Sequence, residues 1–309
     1  MPNLDVTVVG ELNLDLILYG LPEIMVPEHE ALADRLALTL GSSSAIFAHN
    51  LSVMGSRVGF ISRIGDDPLG RISLERLAEG GVDVSKVRTV PGPTTTGLTV
   101  IMPRVRDRLS CTYPGTMFEM CFEDLDLPYL TSAQHFHLSS FYLHRALRPR
   151  IAELFHKMKS AGLTTSLDTN DDPEDLWAQD LLEVLRYVDV FLPNEREIMK
   201  ITRTDNALAG LAKLSSIVPT VVVKRGSQGA TARRGKAEIT APAFTVEAVD
   251  PVGAGDSFDA GFIHQYVRGA DLATCLRYGN LAGAFSTTRP GGTEAFRERP
   301  RFQKFLNEH

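Results

Sequence analysis

Through the second half of this chain, short β-branched runs alternate with helical patterns, and that alternation constrains the fold more than any other feature. The runs are His135-Phe136-His137-Leu138, Thr164-Thr165-Ser166-Leu167, Val188-Asp189-Val190-Phe191-Leu192 and Val221-Val222-Val223. A helical pattern over 151–158, closed by Gly162, separates the first two. Strands spaced by helices predict an α/β fold, a doubly wound and mostly parallel sheet flanked by crossover helices. Val6-Thr7-Val8-Val9 and Val58-Gly59-Phe60-Ile61 supply earlier strands, and helices are predicted up to about 268, over 270–286 and in the tail. At 309 residues with 43% hydrophobic content, the chain can bury one large core.

A second kind of pattern interrupts the first half. Residues 11–19 alternate in character, 31–40 continue them, and the threonine-rich 94–101 is answered by 109–113 across a turn at Arg106-Asp107-Arg108. These segments predict a small, separate β-sheet. His135 and His137 point the same way along their strand without an acid or cysteine partner at ligand spacing, which predicts a structural role. The acids of Gly65-Asp66-Asp67-Pro68-Leu69-Gly70 are read as a helix cap and a solvated turn.

Composition removes several functions. A formal net charge of −6 leaves no basic footprint for nucleic acid. The three cysteines, Cys111, Cys121 and Cys275, have no metal-ligand or disulfide spacing and read as reduced thiols of a cytoplasmic protein. The N-terminus has no signal-peptide pattern, and no apolar run is long enough to span a membrane.

The chemistry concentrates in Asp250-Pro251-Val252-Gly253-Ala254-Gly255-Asp256-Ser257-Phe258. The glycines permit a tight turn that exposes backbone N–H groups at the start of a helix, where the macrodipole favours an anion. Asp256 stands at the mouth of that site. An anion hole beside a carboxylate suits phosphoryl transfer, with the carboxylate taking the proton of an attacking hydroxyl. The stretch lacks the third glycine of a dinucleotide fingerprint and the lysine of a P-loop.

This stretch resembles the second signature of the ribokinase, or PfkB-type, carbohydrate kinase family. The resemblance extends over nearly the whole chain: Asp168-Thr169-Asn170 matches an Asp-x-Asn motif, Asn194 to Glu197 an Asn-x-x-Glu motif, and Lys224 to Gly229 a Lys-x-Gly-x-x-Gly turn. It implies an ATP-dependent sugar kinase with Asp256 as general base and the Gly253, Ala254 and Gly255 amides as anion hole. Asp15, Gly41, Ser42, Asn50 and Asp168 would line the sugar site together with Asp256. Asn194, Lys224, Gly226, Ser227, Gly229 and Asn280 would join Gly253 and Gly255 at the nucleotide. Glu197 would act on Mg²⁺ through water, and the resemblance leaves room for a monovalent cation. Segments 11–40 and 94–117 would form a β lid, and a homodimer through that lid is expected.

The sugar end departs from the family. Aligned through Met54-Gly55, the second glycine of a Gly-Gly-x-x-x-Asn motif becomes Ser42, and its sugar-binding asparagine becomes Ile46. Asn50, one helical turn further on, is the remaining amide. Arg104, Arg106 and Arg108 recur at period two, either as a charged edge that blocks aggregation or as a contact for an acidic sugar. A nucleoside kinase of the same fold and a non-catalytic sugar or nucleotide sensor remain as alternatives. The intact Asp256 argues against the sensor.

Overall fold

The computed structural model describes residues 4–104, 108–177 and 180–309. Its strands are β1 (Leu4–Val9), β2 (Leu14–Tyr19), β3 (Arg35–Leu40), β4 (Val58–Gly65), β5 (Asp83–Val90), β6 (Leu98–Pro103), β7 (Arg108–Tyr113), β8 (Ala133–Leu138), β9 (Thr164–Leu167), β10 (Val190–Phe191), β11 (Thr220–Lys224), β12 (Ala230–Arg234) and β13 (Ala237–Ala241). The helices are α1 (Ser43–Val53), α2 (Pro68–Glu79), α3 (Leu127–Leu130), α4 (Ile151–Ser160), α5 (Asp180–Leu185), α6 (Glu195–Thr202), α7 (Ala207–Leu214), α8 (Ala254–Tyr266), α9 (Leu272–Ser286) and α10 (Arg299–Glu308).

Nine strands form the main sheet in the order β13-β12-β11-β10-β9-β8-β1-β4-β5. Every pair is parallel except β11/β12 and β12/β13. The chain leaves β1 toward β4 on one side and returns on the other through β8. Beside β1 the strand order therefore reverses, and open α/β sheets bind ligands beyond the strand C-termini at such a point. Alternation along the strands makes two cores. Leu138, Leu167, Phe191 and Val221 pack against α4 to α7 through Phe155, Leu181, Ile198 and Leu211. On the opposite face Val8, Phe60, Leu192 and Val222 meet α1, α8 and α9 through Phe47, Phe262 and Leu276.

The remaining four strands form the separate sheet, ordered β3-β2-β6-β7. Register places Thr39 opposite Asp15, Asp15 opposite Thr99 and Thr99 opposite Thr112. These four polar residues form a row on one face. Two positions along the same face, Ile17 and Ile101 pack against Val252 of the glycine turn. The other face carries Leu16, Leu18, Leu38, Val100 and Met102, partly exposed, with Leu36 and Leu109 more open still. Arg106 and Asp107 lie outside the described residues.

Local expectations resolve into specific contacts. Asp67 caps α2 by accepting from the Gly70 N–H at 2.9 Å, and its other oxygen accepts from the Thr96 N–H at 2.7 Å. His135 and His137 are buried and joined through the Ser166 hydroxyl, 2.7 Å from a ring nitrogen of each. Burial keeps both imidazoles neutral, His135 falling to about 3. Ser42 stands at the N-cap of α1, but its hydroxyl donates to the Glu11 carbonyl at 2.7 Å instead of capping the helix.

Candidate active site

The glycine turn enters α8 through Gly253, whose φ of +73° is left-handed. A side chain there would be strained, and its Cβ would stand 2.4 Å from the Gly292 Cα. The first helical bond runs from the Ser257 N–H to the Gly253 carbonyl at 2.9 Å. The preceding N–H groups therefore have no intrahelical acceptor. Ala254 differs from the sequence expectation: its N–H closes the turn onto the Pro251 carbonyl at 3.2 Å. Gly255 and Asp256 are left as the donors of the first turn.

Asp256 lines a cleft of about 880 Å³ together with Asn194, Glu197, Lys224, Gly255 and Asn280. Burial pushes the Asp256 carboxyl up to about 6, the Asp168 charge adds to the rise, and Lys224 and Ser43 oppose it. Lys224, at the end of β11, donates to Asp168 at 2.7 Å and to Asp259 at 2.9 Å. Burial alone would lower the Lys224 pKa, but the two carboxylates outweigh it and hold the ammonium charged. Asp168 is fully buried with one oxygen on Lys224, so it anchors the lysine and has no exposed surface for a sugar. Asn170, which follows it, does reach the cleft wall.

Asn194 and Glu197 form a reciprocal cap on α6. The Glu197 N–H donates to the Asn194 side chain at 2.9 Å, and the Asn194 N–H donates to the Glu197 carboxyl at 2.8 Å. Burial and then the Asp168 charge push Glu197 up to about 8. Among the described residues no group of three or more His, Cys, Asp or Glu could hold a metal by itself. Glu197 and Asn194 line the cleft but bond chiefly to each other, so they would reach Mg²⁺ only through its waters, the ion itself binding chiefly to phosphate oxygens. Gly226, Ser227 and Gly229 form the floor beyond Lys224, facing Phe244, Gly283 and Ala284. Asn280 borders the same space, but its amide N–H₂ is committed to the Ala241 and Pro242 carbonyls at 3.0 and 3.1 Å.

At the other end, Asp15 is nearly buried in its polar row. Burial first, then the Asp256 charge, push its carboxyl up to about 7 against the pull of Arg108. Gly41 leaves room for it, since a Cβ there would fall 2.3 Å from Asp15 Oδ1. Ile46 is buried, its Cδ1 2.6 Å from where a Gly292 Cβ would sit and 3.2 Å from that of Gly253. Asn50 does not replace the missing asparagine. Its amide donates to Ser257 Oγ and the Gly292 carbonyl, both at 2.9 Å, and it is fully buried as a brace behind the glycine turn.

A family model described as pfkB family carbohydrate kinase matches residues 3–299. The chain belongs to that family. An ATP-dependent ribose-1-phosphate kinase of Halopiger xanaduensis is 30% identical, over 82% of this chain and 82% of that protein. A fructokinase of Klebsiella pneumoniae is 29% identical, over 91% of this chain and 95% of its own length. A putative ribokinase II from E. coli, solved in complex with ATP and Mg²⁺, superposes with a TM-score of 0.85 at 25% identity, covering 99% of each chain.

The kinase holds four residues that the motifs did not expose. Asp259 lies one helical turn after Asp256, and that i+3 spacing was the available signal. Glu11 is buried between two segments, accepting from Ser44 Oγ at 2.8 Å and Ser140 Oγ at 2.7 Å. Burial would raise its pKa, but bonds from His144 and Ser140 hold it below the usual range. Asn13 Oδ1 and Thr39 Oγ1, beside Asp15, are buried without a hydrogen-bond partner among the described residues. Nothing in the local sequence pattern distinguishes these last two from ordinary strand residues.

Proposed function

We propose that this carbohydrate kinase transfers the γ-phosphate of ATP to a hydroxyl of a small sugar held between the two sheets. One observation carries the reading: Asp256 stands in the first turn of α8, where the Gly255 and Asp256 N–H groups have no intrahelical acceptor, and lines the cleft beside Lys224. Once ionised, Asp256 accepts the hydroxyl proton. The Gly255 and Asp256 N–H groups, with the positive end of α8, stabilise charge on the transferring group. Lys224, fixed by two carboxylates, holds a positive charge beside Gly255, whose Cβ position is 3.5 Å from its Nζ. When bound, Mg²⁺ neutralises phosphate charge, and Glu197 with Asn194 would hold it through its waters.

Asp15, Gly41 and Ser42 form the sugar end. Nucleotide lies along Gly226, Ser227, Gly229 and Asn280. The four-stranded sheet acts as a lid that excludes water during transfer. The related kinases named above act on a sugar phosphate in one case and are named for a free sugar in the other, so the family alone leaves the acceptor open. Replacement of Asp256 by Asn is expected to lower ADP release roughly 10³- to 10⁴-fold while leaving ATP binding by calorimetry nearly unchanged. Undiminished turnover in the mutant would reject the base.

The apolar outer face of the lid supports a homodimer through that sheet. Sedimentation at micromolar concentration should show two copies, and Leu36→Glu should shift them to one; a monomeric wild type would remove the dimer. No described helix is long and apolar enough to cross a membrane. The three cysteines are unpaired, which is compatible with the cytoplasm.

A further inference from the structure

The cleft contains a cation that phosphoryl transfer does not use. Arg108 opens β7, the edge strand of the small sheet, and lines the same cleft as Asp256 and Ser43. Its direction follows from register. Thr112 faces Thr99, which faces Asp15. Arg108 is four residues before Thr112 on the same strand, so it projects from the same face as Asp15. That is the face on which Ile17 and Ile101 meet Val252, and from which the Tyr19 hydroxyl donates to Asp250 at 2.6 Å. Leu109 and Cys111 take the opposite face.

We infer that the acceptor carries a carboxylate or a phosphate group, and that the Arg108 guanidinium binds that anion at the sugar end of the cleft. The inference rests on the kinase reading. Arg108 makes no ion pair with any described residue, whereas the other arginines of the cleft and its rim, Arg196 and Arg225, are paired to Asp171 and Glu195. A guanidinium has five donors and no acceptor capacity, so a site that uses it needs an anion from elsewhere. Its field reaches Asp15, the residue that marks the sugar end.

Initial rates of ADP release would be measured with matched acceptors: D-gluconate against D-glucose, ribose 5-phosphate against D-ribose, and fructose 6-phosphate against D-fructose. The anionic member of at least one pair should be used at least about 10-fold better in kcat/KM. The carboxylate and phosphate pairs tell the two sources of charge apart. Arg108→Gln should lower kcat/KM for that anion roughly 10- to 100-fold, mainly through KM, while leaving the neutral partner and the KM for ATP unchanged. Arg108→Lys should restore part of the loss. Arg108 is on an exposed edge strand, and an unchanged melting temperature would confirm that each variant folds. Preference for the neutral sugars, or equal loss on both members of a pair, would overturn the inference and leave the kinase intact. A rise confined to the KM for ATP would also overturn it, assigning Arg108 to the nucleotide. Absence of turnover with every acceptor would remove the kinase reading together with this inference.

Discussion

The end of the cleft proposed for phosphoryl transfer and the end proposed for the sugar are built in different ways. At the first, the groups are held by the main sheet and by α8: backbone N–H groups at a helix start, and a lysine fixed by Asp168 and Asp259 at 2.7 and 2.9 Å. At the second, they are spread over β2, β3, the turn before α1 and β7, on a sheet that meets the main body through contacts such as Ile17 to Val252. The first end has little freedom to vary, because each donor is a backbone atom or belongs to a buried charge network. On the proposed reading, the second would change its acceptor through single side chains such as Arg108 without disturbing the transfer chemistry.

If that contrast holds, substitutions at the two ends should fail differently. The largest effect is expected from Lys224→Met, which leaves Asp168 and Asp259 buried without a counter-charge. Loss of one partner of such a network costs about 3–5 kcal/mol. Thermal unfolding should show it, alongside loss of turnover on every acceptor; a mutant as stable as wild type would mean that the network is not what fixes this end. A smaller effect separates Asp15 from Asn50. Asp15→Asn should raise the KM of the acceptor and spare that of ATP. Asn50→Ala, removing bonds to Ser257 and Gly292, should cost about 1–3 kcal/mol of stability with the acceptor KM unchanged. An acceptor KM that moves with Asn50 would return it to the sugar site.

The same division explains what could be read from the sequence. Strand and helix alternation exposed the main sheet, because β8 to β10 are short runs between helices and β11 is a β-branched run that follows one. The glycine turn was legible because its chemistry is contiguous: nine residues carry the turn, the helix start and the acid. Asn50 was misplaced because helical spacing shows which residues share a face but not which neighbour that face meets. Ala254 was expected to donate freely, and only the backbone path shows its N–H turned onto Pro251. Asp168 and Asp259 meet through Lys224 across segments far apart in sequence, so their pairing has no local signal. The Glu11 hub is hidden for the same reason, since its partners come from segments around Ser44, Ser140 and His144.

The proposed base is Asp256, whose carboxyl is lifted by burial and by Asp168. A carboxyl raised from its ordinary value to about 6 is protonated and inactive below that pH and ionised above it. The most direct measurement is kcat/KM for the acceptor from pH 5 to 9 at saturating MgATP, because this ratio reports ionisations of the enzyme before the acceptor binds. The expected profile rises about tenfold per pH unit below about 6, where Asp256 titrates, and changes slope again near 7, where Asp15 ionises at the acceptor end. A profile flat across pH 5 to 7 would contradict the assignment of Asp256 as the base.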